Sequence, residues 1–295
     1  MFRRLLFCTD FSDGVHRLAH FIPSLAETGV NQIVFFHVVP LDSGTIPKID
    51  QVAVDKARER LSVALENVPA GVDVKVEIES GRPSDMILQT AANHRVDLII
   101  LGMPVRSRIT ERLFGSTAMR VCERTGLPLM VLRPQLISTY TREELELRCR
   151  HLFRNLLIPY DGTDAARYLI QQIKSRAAER PPASLQQCHL CWVVEDVTRR
   201  GLPKGYQVEP ALKELMGVKA ELESINLCVE PVEVRQGDPI CEILEAAQMG
   251  DVSAIAVTSG SLGKFQELSA PSFTRELLHR SWHPIIYFPP PRAQA

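Results

Sequence analysis

Apolar positions in the first half of the chain change period again and again. Residues 5–8 form a short unbroken apolar run, as in a strand buried on both faces. Residues 11–28 carry Val15, Leu18, Ala19, Ile22 and Leu25 at helical spacing, and 32–39 is a second apolar run. Residues 50–68 read as a helix, with Val54, Ala57, Leu61 and Leu65 on one face. Residues 72–79 alternate through Val72, Val74, Val76 and Ile78, which predicts a half-exposed strand at a sheet edge. A helix over 83–94 with proline in its first turn, a buried strand over 97–101, a helix over 116–124 and a strand over 129–132 complete the series. Strands alternating with helices in this way predict an α/β fold, a parallel sheet with helices on both faces.

The pattern then recurs. Phe2-Arg3-Arg4-Leu5-Leu6-Phe7-Cys8-Thr9-Asp10 is similar to Phe153-Arg154-Asn155-Leu156-Leu157-Ile158-Pro159-Tyr160-Asp161, which places Asp161 opposite Asp10. Gly81-Arg82-Pro83 returns as Gly237-Asp238-Pro239, Leu127-Pro128-Leu129-Met130 as His283-Pro284-Ile285-Ile286, and Pro134 as Pro290. The offset grows from 151 to 156 residues before the Gly-x-Pro and stays there, so the second copy has gained five residues. Its strands are expected near 156–160, 190–194, 229–235, 252–257 and 285–288. Two copies make two similar domains, not a solenoid. The boundaries read as 1–134 for the first domain, 135–152 for a linker and 153–295 for the second. Thr141-Arg142-Glu143-Glu144 starts a short helix within the linker.

Composition narrows the function. A chain of 295 residues, 45% hydrophobic, has enough apolar content for two cores. Its net charge of −1 argues against nucleic-acid binding through bulk charge. No apolar run approaches the roughly 18–20 residues that cross a bilayer, and Asp10 interrupts the opening too early for a secretory signal. The expected location is the cytoplasm, with no membrane and no nucleic acid as partner. The seven cysteines are scattered and odd in number, unlike a disulfide framework.

In an open parallel sheet, ligands bind beyond the carboxyl ends of the strands where strand order reverses. This singles out Cys8, Thr9 and Asp10 after the first strand, Val38 in the second, and the segment from Gly102 to Thr117 after the fourth. Gly115-Ser116-Thr117 opens a helix, whose free N–H groups suit a phosphate. An ordinary capping role for Ser116 accounts for the same residues. Cys188-His189-Leu190-Cys191 lies along a strand with its cysteines on opposite faces, so core packing is favoured over metal. His37 reads as a structural histidine, and Arg106, Arg108 and Arg112 as a solvated loop. No nucleophile–base pair, carboxylate cluster or metal cage is legible, so the protein is expected not to be an enzyme.

Together these motifs resemble the universal stress protein family, in a tandem two-domain form. Thr9-Asp10-Phe11-Ser12 matches the family's strand-one motif and Gly81-Arg82-Pro83 its third-helix start. The family signature is Gly, two residues, Gly, nine residues, Gly, then Ser or Thr. Here it reads Gly102, two residues, Val105, nine residues, Gly115 and Ser116. The resemblance implies two flavodoxin-like (adenine nucleotide alpha hydrolase-like) domains, each a five-stranded parallel sheet of order 3-2-1-4-5. It implies ATP or a related adenine nucleotide as ligand in those members that bind one. Asp10 and Val38 would serve adenine, Gly102 and Val105 the ribose and phosphate, and Gly115, Ser116 and Thr117 the phosphates, with Cys8 beside them. Val105 departs from the pattern, because a β-branched residue disfavours the positive φ that glycine allows, and Pro104 removes a donor.

In the second copy the same positions are Thr258, Ser261 and Pro271-Ser272-Phe273, with no motif glycine left. It is expected to be a pseudo-site, although Asp161 persists. Three functions remain: a nucleotide-binding stress protein, an interaction or scaffold protein of the same fold, and a weak nucleotide hydrolase. The resemblance also implies pairing between last strands, residues 129–132 with 285–288 inside the chain, or a homodimer.

Overall fold

A computed structural model describes residues 1–41, 48–103, 116–133, 137, 141–194, 208–258 and 273–290. It divides into two compact units, one of residues 2–150 and the other of residues 151–295 with Met1.

In the first unit the strands are β1 (Arg4–Cys8), β2 (Gln32–Val39), β3 (Asp73–Ser80), β4 (Leu98–Gly102) and β5 (Leu129–Leu132). They are all parallel, in the order β3-β2-β1-β4-β5. Helices α1 (Ile22–Ala26), α2 (Gln51–Leu61), α3 (Pro83–Asn93) and α4 (Ser116–Arg124) lie between them, and α5 (Arg142–Arg150) follows. The chain steps outward from β1 to β3, then returns past β1 to β4. Right-handed crossovers therefore send α1 and α2 to one face of the sheet and α3 and α4 to the other. Central strands are apolar on both sides: Leu5, Leu6, Phe7, Leu98, Ile99 and Ile100 are fully buried. The alternating strand is β3, at the edge as its pattern predicts.

The second unit repeats this with β6 (Asn155–Pro159), α6 (Asp164–Ala177), β7 (Gln187–Val194), α7 (Val208–Glu223) and β8 (Cys228–Gln236). It continues through α8 (Pro239–Met249), β9 (Ala254–Thr258), α9 (Phe273–Arg280) and β10 (Ile285–Phe288). Its order, β8-β7-β6-β9-β10, is the same one. The repeated Gly-x-Pro serves one purpose twice. Gly81 and Gly237 take φ of 150° and 148°, a conformation side chains rarely adopt. The next residue caps a helix whose first turn holds the proline.

Two predictions need correction. The helix expected over 50–68 ends at Leu61 and passes into a 3-10 turn, Ser62–Leu65, that leaves Leu65 exposed. The helix expected over 11–28 is a 3-10 segment, Val15–Phe21, followed by the short α1. Gly14 enters it at φ 82° and Pro23 forces a fresh helical start. Val15, Leu18 and Phe21 recur every third residue, the period of a 3-10 helix. The expected linker helix is α5, where Thr141 accepts from the Glu144 amide at 3.2 Å.

Candidate functional site

Cys8, the last residue of β1, is registered against Phe36 of β2 on one side and Leu101 of β4 on the other. The strand order reverses here, so the chain leaves β1 at the crevice where such sheets bind ligands. Cys8 itself is buried, and burial pushes its thiol well up, so it is a neutral wall of the site.

The turn that follows is held by two carboxylates. Asp10 Oδ1 accepts from the Ser12 amide (2.8 Å), the Ser12 hydroxyl (2.7 Å) and the Asp13 amide (3.2 Å). Asp13 is buried and accepts from the Thr9 hydroxyl (2.8 Å), the Val15 amide (2.8 Å) and the Asp10 amide (3.3 Å). Burial nonetheless raises the Asp13 carboxyl above its ordinary range, against the lowering effect of its donors from Val15 and Thr9. Between the two carboxylates, Phe11 takes a positive φ of 66°. Its ring lies 4.4 Å from that of His37 and 5.5 Å from that of His16, with the Arg60 guanidinium 4.4 Å over its face. His37 Nδ1 is 2.8 Å from the Thr9 carbonyl, so this histidine is structural, as its place in an apolar strand suggests. Arg60 is 2.9 Å from His16 Nε2. Partial burial, then the charges of Arg60, Arg17 and His20, lower the His16 pKa to about 4.

Gly102 ends β4 across the crevice. A Cβ at this position would lie 2.5 Å from the Asp13 side chain. The glycine is therefore required by packing, whatever ligand approaches it. Val38 is half-buried near the end of β2, beside the same turn. Thr117 is the second residue of α4 and half-buried, and Ser116 is the first. Cys8, Asp10, Val38 and Gly102 thus stand at or just beyond the carboxyl ends of β1, β2 and β4. Val105 and Gly115, and the side chain of Ser116, lie outside the described residues.

The second copy builds the same turn from other side chains. Asp161 Oδ1 accepts from the Thr163 hydroxyl (2.6 Å) and amide (3.1 Å), and Gly162 takes φ 75°. Trp192 stands where a side chain on Gly162 would go, with its ring 2.9 Å from the missing Cβ. It meets Tyr160 edge-on at 5.6 Å. The Tyr160 hydroxyl donates to Glu214 at 3.0 Å, and Arg167 reaches the same oxygen at 3.3 Å. In place of Gly102, Thr258 donates to the Phe288 carbonyl at 2.7 Å and takes the Thr274 hydroxyl on its own carbonyl at 2.8 Å. Pro271 and Ser272 lie outside the described residues, as do Gly260, Ser261 and Gly263.

Sequence reasoning missed Asp13, His16, Arg60, Tyr160, Trp192 and Glu214. The repeat itself held a signal for some of them: Phe11 faces Gly162 in the alignment, and His37 faces Trp192 once β1–β2 and β6–β7 registers are matched. Cys188 and Cys191 are both buried in β7, and His189 is 2.6 Å from Glu233, consistent with core packing. Among the described residues no cluster of three or more potential ligands could hold a metal ion. Nor is any described helix long and apolar enough to cross a membrane.

The fold recurs in known proteins. A universal stress protein of Methanocaldococcus jannaschii is 23% identical over 157 residues, covering 45% of this chain and 96% of the relative, about one copy's length. The crystal structure of a universal stress protein from Archaeoglobus fulgidus DSM 4304 has a TM-score of 0.64 at 18% identity, covering 96% of this chain and 97% of the other. A functionally unknown protein from Pseudomonas aeruginosa PAO1 has a TM-score of 0.56 at 10% identity, covering 98% of this chain and 93% of the other. At such identities the two structures show the shared fold. The Universal stress protein family description matches residues 1–133 and 152–289, one match to each copy, and the chain belongs to that family.

Proposed function

We propose that the first copy binds an adenine nucleotide, ATP or a relative of it, and that the protein acts in a stress response through binding rather than turnover. The observation that carries this reading is the meeting of Asp10, Val38 and Gly102 at the strand-order reversal, with α4 starting at Ser116 beyond the end of β4. Asp10 is exposed, and its turn fixes one carboxylate oxygen through three donors, so the group is held ready to accept from a base amine. The backbone N–H groups at the start of α4, beginning at Ser116 and Thr117, supply donors for phosphate.

Calorimetry with ATP, ADP and AMP on wild type, Gly115→Pro and Ser272→Ala tests this. The expected result is one nucleotide per chain, lost in Gly115→Pro and unchanged in Ser272→Ala. Two per chain, or equal losses from both substitutions, would overturn the asymmetry between the copies. Steady ATP hydrolysis at about 1–1000 per second, abolished by substituting Asp10, would overturn the non-enzymatic reading. Val105, standing where the family signature has glycine, favours the scaffold reading. Absence of binding by any of the three nucleotides would move the protein to that class.

A further inference from the structure

The corresponding crevice of the second copy is a cavity of about 680 Å³ at the carboxyl ends of β6, β7 and β9. Its floor is apolar, with Leu169, Cys191, Val193, Ile243, Val257 and Phe273 among the lining residues. Its polar groups are of one kind. Asp161 and Asp164, both exposed carboxylates, sit at the edge nearest α6. The hydroxyl hydrogens beside them are already spent: Thr163 donates to Asp161, Thr258 to Phe288 and Thr274 to Thr258. What these groups still offer a ligand is lone pairs.

At two of the nearby helix starts one amide each is engaged. Thr163 accepts from the Ala166 amide at the start of α6, and Asp238 accepts from the Cys241 amide at the start of α8. Tyr160 lines the cavity, but its hydroxyl is committed to Glu214, and the nearby Arg167 is paired with that same carboxylate. No lysine, arginine or histidine lines the cavity among the described residues. The Cys191 thiol is pushed up to about 12 by burial and stays neutral. Apolar walls whose polar side chains, among the described residues, only accept complement a ligand having an apolar body and a donating, positively charged end.

We propose that the second copy is a binding site for an apolar small molecule bearing an amine, held by Asp161 and Asp164 over the apolar floor, and selective against anions. This site is independent of the nucleotide reading, which concerns the other copy and other residues. The probes are 4-phenylbutylamine and 4-phenylbutyrate, which share ring and chain and differ in charge. In ligand-observed NMR titrations the amine should bind at least about tenfold more tightly than the carboxylate, since each exposed carboxylate adds a modest attraction. Asp161→Asn combined with Asp164→Asn should remove that preference and leave the apolar contribution. Ala165→Trp should fill the cavity from the half-exposed first turn of α6 and abolish binding of both probes, with thermal unfolding confirming a folded chain. Equal affinities, tighter carboxylate binding, binding unchanged in Ala165→Trp, or no binding of the amine would each overturn the proposal. Nucleotide titration of the same variants keeps the two sites distinct, because substitutions at Asp161, Asp164 and Ala165 should leave it unaltered.

Discussion

Each copy leaves its first strand through a residue in the left-handed region, Phe11 in one and Gly162 in the other. The left-handed residue is kept, but the aromatic group has changed place. In the first copy it grows from the turn and lies on His37 of β2. In the second the turn is bare and Trp192, at the position of His37, reaches across it. Charge has been redistributed too. His16 faces Arg60 of α2 in the first copy, whereas Arg167 faces Glu214 of α7 in the second. The buried faces of the two helices match when Ala57 and Leu61 are set against Ala211 and Leu215, which puts Arg60 opposite Glu214. A crevice can therefore keep its left-handed turn residue while exchanging the side chains around it, provided that changes on the turn and on its neighbours occur together.

The largest test of this pairing is Gly162→Phe. Left-handed strain and the clash with Trp192 should cost about 3 kcal/mol, read in the denaturation transition of the second unit. Combining it with Trp192→His, the arrangement of the first copy, should recover at least about 1 kcal/mol. Strict additivity of the two substitutions would break the comparison. Next in size is Gly102→Ala. Its Cβ falls on Asp13, so the buried carboxyl and its donors must move, at a cost of about 2 kcal/mol by denaturant unfolding. Adding Asp13→Ser should relieve part of that loss. A smaller effect, about 1 kcal/mol, is expected for Tyr160→Phe, which deletes the hydrogen bond to Glu214.

The last effect is a pH slope contributed by His16 of the first copy, to which His189 of the second, also lowered by burial, adds in the same direction. The His16 pKa falls from 6.5 to about 4 on folding, so between these values the unfolded chain binds the extra proton. Stability from this group is complete above about pH 6.5 and is lost as pH falls toward 4. Asp13, raised on folding, acts with the opposite sign, its contribution being lost as pH rises above 3.8. The His16 part is therefore isolated as the difference between wild type and His16→Gln, which should flatten the slope between pH 4 and 6.5. Arg167 keeps its charge across that range, so Arg167→Gln should leave the slope as it is. A change in slope from Arg167→Gln, or none from His16→Gln, would contradict this assignment.

Much of the fold was legible because a strand buried on both faces has no choice but to be apolar, and β2, β5 and β10 fall on the bounds read from the sequence. The repeat then located the second copy by its glycines and prolines. Less visible was β7, which begins at Gln187 rather than near Leu190, because His189 is admitted to the core by its contact with Glu233 on the neighbouring strand. At the site, Asp10, Val38 and Gly102 could be named from position along the sheet. The reason for Gly102 could not, since the side chain that crowds it is Asp13, far away in sequence. Likewise, the cavity of the second copy is lined jointly by α6 and by Phe273 and Thr274 of α9, and a list of lost glycines carries no such information.

The fit of Asp13 against Gly102 also constrains history. While an acid lies in that place, a side chain at the facing position has nowhere to go. In the second copy the aligned acid, Asp164, stands in solvent and the aligned glycine is Thr258. From a common starting point like the first copy, the acid had to vacate its place before or together with the arrival of threonine. Once Thr258 had bound the Phe288 carbonyl, the way back for that acid was closed. The order in which such steps can occur is written in the packing, and a copy that has taken the second step does not return to its earlier packing by reversing any single one.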